Sequence, residues 1–102
     1  MTPNMMATRD NDHVDPNYRG SVDFIVSRQT NGTLARYVQV AREVAAAAAV
    51  PLADAYAEWE RRFAAGEDIV RLLTNGLNHP DAEGHGYFTD LLWSILVREL
   101  GV

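Results

Sequence analysis

The sequence has no cysteine among its 102 residues. This absence excludes a disulfide framework, a thiolate nucleophile and a cysteine-based zinc site, but it is compatible with either redox compartment. The N-terminus also lacks a cationic segment followed by an apolar one, so the sequence predicts no signal peptide. These features leave the localisation unknown.

Basic residues and long apolar runs are scarce as well. Nine Lys and Arg stand against 14 Asp and Glu, for a net charge of −5. Nucleic-acid binding needs concentrated positive charge, so we predict no nucleic-acid partner. The longest apolar run, Val44 to Ala53, is mostly alanine and contains Pro51, which predicts no membrane span.

The remaining composition is that of an ordinary folded chain, with 47% hydrophobic and 23% charged residues. A chain of this length forms at most one domain and has a modest core. Residues 1–32 are rich in Asn, Asp, Pro and Arg, so the sequence predicts a loop-rich segment in which only Val22 to Val26 is ordered.

From residue 33 onward the pattern predicts helix, strand, helix, loop and helix. Thr33 is a plausible N-cap for an amphipathic helix that runs to about Ala49. Pro51 ends that helix, and the short run Val50 to Ala53 is typical of a buried parallel strand. The pattern then predicts a helix from Asp54 to Phe63, a short helical piece from Glu67 to Leu73, and a final helix from Tyr87 to Leu100.

This order of elements is typical of the end of a doubly wound α/β domain, with helices packed on a parallel sheet. Only one convincing strand is present, and a lone strand leaves its backbone donors and acceptors unpaired. We therefore expect the missing strands to lie in another chain or in a longer native protein.

The loop from Asn75 to His85 carries the most informative residues. His79 precedes Pro80, which biases the histidine toward extended geometry and keeps it out of a helix. An imidazole held in this way suits a general base that takes a proton from a serine hydroxyl. The alternative is that His79 merely caps a surface turn, and its spacing alone favours this interpretation because His-Pro is a weak signal.

The C-terminal half contains the run Val50-Pro-Leu-Ala-Asp54, the loop Asn75-Gly-Leu-Asn-His79-Pro-Asp-Ala-Glu-Gly-His85, and the helix that follows. In this order they resemble the closing part of SGNH/GDSL-type serine esterases. Thr2-Pro3-Asn4 is similar to the family's segment after its fourth strand. The resemblance implies a helix-rich C-terminal part of a three-layer α/β/α (flavodoxin-like) domain spanning residues 1–102, with one or two short parallel strands, and His79 as the catalytic base.

The chain departs from the family pattern at two places. The acid that usually stands three residues before the histidine is replaced by Gly76, with Asn75 one residue earlier, so these are the candidate orienting positions. Asp81 is the first candidate for a substitute acid, and Glu83 and Asp68 are others. The family's Gly-Asp-Ser nucleophile block and its oxyanion-hole residues are also missing, and the serines present are Ser21, Ser27 and Ser94.

Other candidate sites are weaker. His79, Asp81 and His85 form a conceivable metal trio, but no helical histidine pair or cysteine cluster accompanies them, so we predict no metal and no cofactor. Arg9, Asp10, Asp12, His13 and Asp15 form a polar loop that is a weak candidate for the border of the cleft in a complete enzyme.

The sequence therefore predicts the C-terminal portion of a serine hydrolase acting on small or carbohydrate-linked acyl or acetyl esters. The chain by itself is expected to be inactive, because it lacks the nucleophile. The alternative is a non-catalytic α-rich interaction module, or a degenerate subunit completed by a partner chain or by self-association through an exposed sheet edge and apolar helix faces.

Overall fold

Four α-helices and two 3₁₀ helices are the regular elements of the chain, and the computed structural model describes every residue from Met1 to Val102. The α-helices are α1 (Val22–Thr30), α2 (Thr33–Ala47), α3 (Ala55–Ala64) and α4 (Ala82–Leu100), and the 3₁₀ helices are Pro16–Ser21 and Ile69–Leu72. No sheet is present, and the single β-bridge joins Leu73 to Pro80. The chain is a small helical domain.

The predicted C-terminal part of a three-layer α/β/α domain with parallel strands is wrong. Residues 50–53 form no ladder, and their one backbone hydrogen bond to the N-terminal segment runs from the Thr2 N–H to the Ala53 carbonyl at 3.0 Å. Side chains make the next contacts, because the Thr2 hydroxyl accepts the Tyr56 N–H and donates to Asp54. A four-residue apolar run does not by itself distinguish a strand from other buried chain.

The prediction that residues 1–32 are loop-dominated missed helix α1. The apolar run Val22 to Val26 is only the first half of this helix, which continues to Thr30. Its second half is polar in sequence, yet Gln29 is buried by contacts with distant parts of the chain. Tertiary contacts of this kind leave no periodic apolar signal.

The helix predicted from Thr33 is confirmed as α2, although its cap differs from the prediction. Gly32 occupies the N-cap position with a φ of 84°, and Thr33 is the first helical residue. The Asn31 side chain accepts the Thr33 N–H at 2.9 Å. The helix ends at Ala47, before Pro51.

The main core lies where α2, α3, the second 3₁₀ helix and the N-terminal segment meet. Trp59 is fully buried at this point, and its ring packs edge-on against Tyr87 of α4 with ring centroids 6.5 Å apart. The cluster consists of Met5, Ala7, Val38, Tyr56, Trp59, Ile69, Val70, Leu72 and Leu73. A second, smaller cluster of Val14, Val22 and Leu77 lies under the His79 loop.

Asp54 ties α2, α3 and the N-terminal segment together. Its carboxylate caps α3 by accepting the Ala57 N–H at 3.1 Å, and it accepts the Arg42 Nε–H at 2.7 Å. Burial raises the pKa of Asp54, but the Arg42 guanidinium, the Ala57 N–H and the Thr2 hydroxyl outweigh burial and hold this pKa below its usual value.

This lowered pKa makes the free energy of unfolding depend on pH in the acidic range. A carboxylate whose folded pKa lies below its unfolded pKa stabilises the fold above the unfolded value, and this stabilisation is lost as the pH falls through the folded value. At pH 7 we expect Asp54→Asn to lower the free energy of unfolding by about 1–2 kcal/mol. Below pH 3.8, the usual pKa of an aspartate side chain, the difference should shrink. Urea unfolding of both proteins across this pH range measures the effect.

Asp90→Asn is the matched control, since the Asp90 carboxylate is exposed and makes no side-chain hydrogen bond. We expect this variant to unfold like the wild type throughout the pH range. A constant difference between Asp54→Asn and the wild type at all pH values would contradict the role assigned to the Asp54 charge.

Helix α4 begins earlier than predicted and is largely exposed. It starts at Ala82 rather than Tyr87, because the Asp81 carboxylate caps it by accepting the Gly84 N–H at 2.8 Å. Gly84 is its only buried residue, and five large apolar residues of its C-terminal half are exposed: Leu92, Trp93, Leu96, Val97 and Leu100. None of the four helices is long and apolar enough to cross a membrane, which agrees with the predicted absence of a span.

Candidate functional site

The loop that carries His79 is closed at its base by two short backbone hydrogen bonds. The Thr74 N–H donates to the His79 carbonyl, and the Asp81 N–H donates to the Leu72 carbonyl, both at 2.7 Å. These bonds flank the bridge between Leu73 and Pro80. The backbone of His79 is therefore fixed on both sides by the end of the second 3₁₀ helix.

The Asn75 side chain holds the inside of the loop. Its Oδ1 accepts the backbone N–H groups of Leu77, Asn78 and His79 at 3.0, 3.0 and 3.1 Å. Its Nδ2 donates to the Asn78 Oδ1 at 2.9 Å. Asn75 was a candidate for orienting the imidazole, but its amide is engaged with the loop and makes no hydrogen bond to the His79 ring.

Gly76 was the other candidate orienting position, and the space beside it is filled. Its φ is +72°, and a Cβ on this residue would lie 2.5 Å from the Val14 backbone nitrogen and 2.7 Å from the His13 carbonyl carbon. Its carbonyl accepts the Asn11 Nδ2–H at 2.9 Å. A carboxylate side chain has no room here, so position 76 cannot carry an acid in this fold.

The segment from Arg9 to Asp15, a weak candidate for the border of the cleft, packs against this loop. Besides the contact at Gly76, the Asp15 N–H donates to the Asn75 carbonyl at 3.1 Å, and the Ala7 N–H donates to the Leu77 carbonyl at 2.8 Å. The N-terminal segment thus supports the loop from behind.

The His79 side chain is exposed and lines a cleft of about 190 Å³. No hydrogen bond ties its ring to another side chain. The other residues that line the cleft are Tyr18, Ser21, Ile25, Asn75, Leu77 and Asn78, none of which carries a charge at neutral pH. Ser21 stands at the N-terminus of α1 with no capping hydrogen bond from its side chain.

Each candidate substitute acid is bonded to a partner other than His79. Asp81 caps α4, as described above. Glu83 pairs with Arg71 at 2.6 Å and accepts the Tyr87 hydroxyl at 3.0 Å, and Asp68 pairs with Arg9 at 3.1 Å. The Arg71 guanidinium, with help from the Tyr87 hydroxyl, lowers the pKa of Glu83. No carboxylate in this chain orients the imidazole.

The proposed metal trio is not assembled either. The structure gathers no group of three His, Asp or Glu side chains that could hold a metal ion. His85 instead lies in the first turns of α4, with its ring 6.2 Å from that of Phe88.

Two features of the site were missed from the sequence. Tyr18 and Ser21 line the His79 cleft although they are more than fifty residues away along the chain, and Asn11 clamps Gly76. The Asn and Asp residues before position 16 gave only a general turn signal, which does not identify a distant partner.

Replacing Asn75 by alanine should loosen the loop, because three backbone N–H groups lose their acceptor. We expect a loss of about 1–3 kcal/mol of stability and faster amide hydrogen exchange at Leu77, Asn78 and His79. Asn75→Asp keeps the acceptor oxygen and should retain most of the protection. Asn78→Ala is the control, because it removes only the hydrogen bond between the Asn75 and Asn78 side chains. Equal exchange rates in Asn75→Ala and Asn78→Ala would show that the three bonds to the Asn75 Oδ1 do not hold the loop.

Comparisons with known proteins find no relative of this chain. No family model matches the chain, and neither the curated proteins nor the solved structures contain a significant match.

Proposed function

We propose that this chain supplies the general-base histidine of an SGNH/GDSL-type acyl-ester hydrolase. His79 would accept the proton of a serine hydroxyl and return it to the leaving alcohol. The serine nucleophile and the oxyanion-hole donors would come from residues outside these 102. The proposal rests on the resemblance of the His79 loop to the family's closing loop.

The observation that supports it best is the way the loop is built. The backbone of His79 is fixed by Thr74, Pro80 and Asn75, while its ring is exposed on a cleft and makes no structural hydrogen bond. A histidine that merely capped a turn would form hydrogen bonds from its ring nitrogens to backbone groups. A fixed backbone with a free ring is the arrangement that a general base needs.

The lack of a local acid has a chemical consequence. In a serine hydrolase the acid holds the imidazole in the correct tautomer and stabilises the imidazolium that forms. Asp81, Glu83 and Asp68 are all engaged elsewhere. The acid of the complete site would therefore also come from outside these residues, or the enzyme would work without one at a reduced rate.

The composition of the His79 cleft favours an uncharged substrate. Apart from His79, its lining residues include no Asp, Glu, Lys or Arg, and they combine hydroxyl and amide groups with the apolar side chains of Ile25 and Leu77. A volume of about 190 Å³ is smaller than that of a drug-sized pocket. We propose a small acyl or acetyl ester, or one linked to a carbohydrate, as the substrate class.

The 102-residue chain alone should not hydrolyse esters, because transition-state stabilisation by oxyanion-hole donors is missing. We expect its turnover of p-nitrophenyl acetate to equal that of His79→Ala. Ser21→Ala is the matched variant, since Ser21 is the serine that lines the His79 cleft. Turnover above that of both variants would show that the chain holds its own nucleophile and would contradict this part of the proposal.

The coding DNA on the 5′ side of the Met1 codon tests the proposal itself. An in-frame sequence that encodes Gly-Asp-Ser after a predicted strand would support the hydrolase. A promoter and ribosome-binding site directly before Met1, with no such sequence, would contradict it and favour the second candidate.

The second candidate is a non-catalytic interaction module, and one observation favours it. Helix α4 has 19 residues, of which only Gly84 is buried, and its exposed C-terminal half displays Leu92, Trp93, Leu96, Val97 and Leu100. A contiguous apolar surface of this kind marks an interaction site.

A further inference from the structure

The largest cavity of the molecule lies on a different part of the surface from the His79 cleft. Its volume is about 670 Å³, and no residue lines both sites. It lies between the N-terminal segment, the start of α2, and α3. Its apolar wall includes Met5, Ala35 and Phe63.

A short chain of hydrogen bonds forms the polar part of this cavity. The Met6 N–H donates to the Gln29 Oε1 at 2.7 Å, and the Gln29 Nε2 donates to the Tyr56 hydroxyl oxygen at 2.9 Å. Both side chains are deeply buried, with 2% of Tyr56 and 8% of Gln29 exposed. The Tyr56 oxygen is thus an acceptor in this chain.

The hydroxyl proton of Tyr56 has no acceptor within the protein. The second Nε2 hydrogen of Gln29 and the Thr8 hydroxyl also donate to no protein group, although both residues line the same cavity. Burial raises the pKa of Tyr56, with the Gln29 N–H acting in the opposite direction, so the hydroxyl keeps its proton at neutral pH. Tyr56 and Gln29 thus present two buried donor hydrogens at this cavity, and the half-buried Thr8 presents a third.

The charged residues at the cavity do not favour an anion. Arg9 is paired with Asp68 at 3.1 Å, and Glu60 lies 3.7 Å from Arg42. In each pair the two charges offset each other, so no free cation is left at the cavity to attract a negative ligand. An uncharged acceptor does not need one.

We propose that this cavity binds a small uncharged carbonyl compound with an apolar substituent. Its carbonyl oxygen accepts the Tyr56 hydroxyl proton, and its substituent lies against Met5, Ala35 and Phe63. Apolar walls with a few placed polar groups are the usual composition of a small-molecule site. This inference does not depend on the hydrolase proposal, because it concerns other residues and no reaction.

Titration of the ¹⁵N-labelled 102-residue chain with acetophenone tests the site. We expect saturable amide shifts at residues 29, 35 and 56 and at the Gln29 side-chain amide. Benzoate, which has a similar shape and a negative charge, should bind at least about tenfold more weakly. Absence of saturable shifts at these positions, or equal binding of benzoate, would overturn the proposal.

Two variants test the Tyr56 hydroxyl and the apolar walls of the cavity separately. Tyr56→Phe removes the hydroxyl and should weaken acetophenone binding about tenfold, the effect of one hydrogen bond. Ala35→Leu fills the cavity without touching the hydrogen-bond chain and should abolish binding, while His85→Ala, which does not line the cavity, should bind like the wild type. If Tyr56→Phe fails to fold, Ala35→Leu still decides, because undiminished binding in that variant would overturn the proposal.

Discussion

Gly76→Ala is expected to destabilise the chain by about 2–5 kcal/mol. A non-glycine residue in the left-handed region costs about 1–2 kcal/mol, and forcing atoms into filled space costs about 1–3 kcal/mol more. Both costs apply, since φ is +72° and the new Cβ would lie 2.5 Å from the Val14 backbone nitrogen. Such a loss is a large fraction of the whole stability of a small domain, about 5–15 kcal/mol.

Gly66→Ala is the matched control for backbone strain alone. Gly66 also has a positive φ, +91°, but nothing lies within 4 Å of the position its Cβ would take. We expect urea unfolding to show a loss of only about 1–2 kcal/mol for this variant. If Gly76→Ala were no more destabilising than Gly66→Ala, the segment around Val14 would not pack against the His79 loop as described.

This prediction also bears on the acid of the proposed catalytic site. Residue 76 is the position at which the resemblance to SGNH/GDSL-type esterases implies an acid. The same contact that makes Gly76→Ala destabilising excludes a carboxylate there. Under the hydrolase proposal, the acid would therefore lie outside position 76 or be absent, since the three nearby candidates are already bonded to Arg9, Arg71 and the N-terminus of α4.

Apolar spacing predicted where the helices lie better than where they begin. Asp54 caps α3 as expected, whereas α2 is capped by Gly32 instead of Thr33 and α4 begins at Ala82 instead of Tyr87. The start of α4 was misplaced because the capping residue, Asp81, lies inside a loop that also contains Pro80 and two glycines. Helix α1 was missed beyond Val26 because its burial depends on contacts of Gln29 with Met6 and Tyr56.

The fold class was wrong for a more general reason. Assigning a parallel strand to Val50–Ala53 assumed neighbours that the 102 residues do not provide, and strand pairing is a property of at least two segments. In the structure Thr2 meets this segment with a single backbone hydrogen bond, and its hydroxyl bonds to Asp54 and Tyr56 just after it. Local sequence does not specify such long-range side-chain contacts.

The candidate site was predicted in part. The sequence drew attention to the His79 loop, and the structure shows how Asn75 and the bridge at Pro80 fix it. The sequence did not show that Tyr18 and Ser21 line the same cleft, since that requires the path of the chain between residues 18 and 79. The catalytic role of His79 stays a prediction.

Loss of the His79 imidazole is the second large effect that we expect, and it concerns activity. A general base contributes about 10²- to 10⁴-fold to the rate of proton transfer. Its removal should therefore lower kcat/KM by this factor, because the nucleophile would keep its proton. The matched control is His85→Ala, since His85 is also exposed but lies in α4 and does not line the cleft.

The most direct test is the kcat/KM for p-nitrophenyl acetate of the longest in-frame product that contains these 102 residues. We predict that His79→Ala lowers this value by about 10²- to 10⁴-fold, while His85→Ala leaves it within about twofold of the wild type. Equal activity of the two variants, or no hydrolysis by the wild-type product, would contradict the assignment of His79 as the general base.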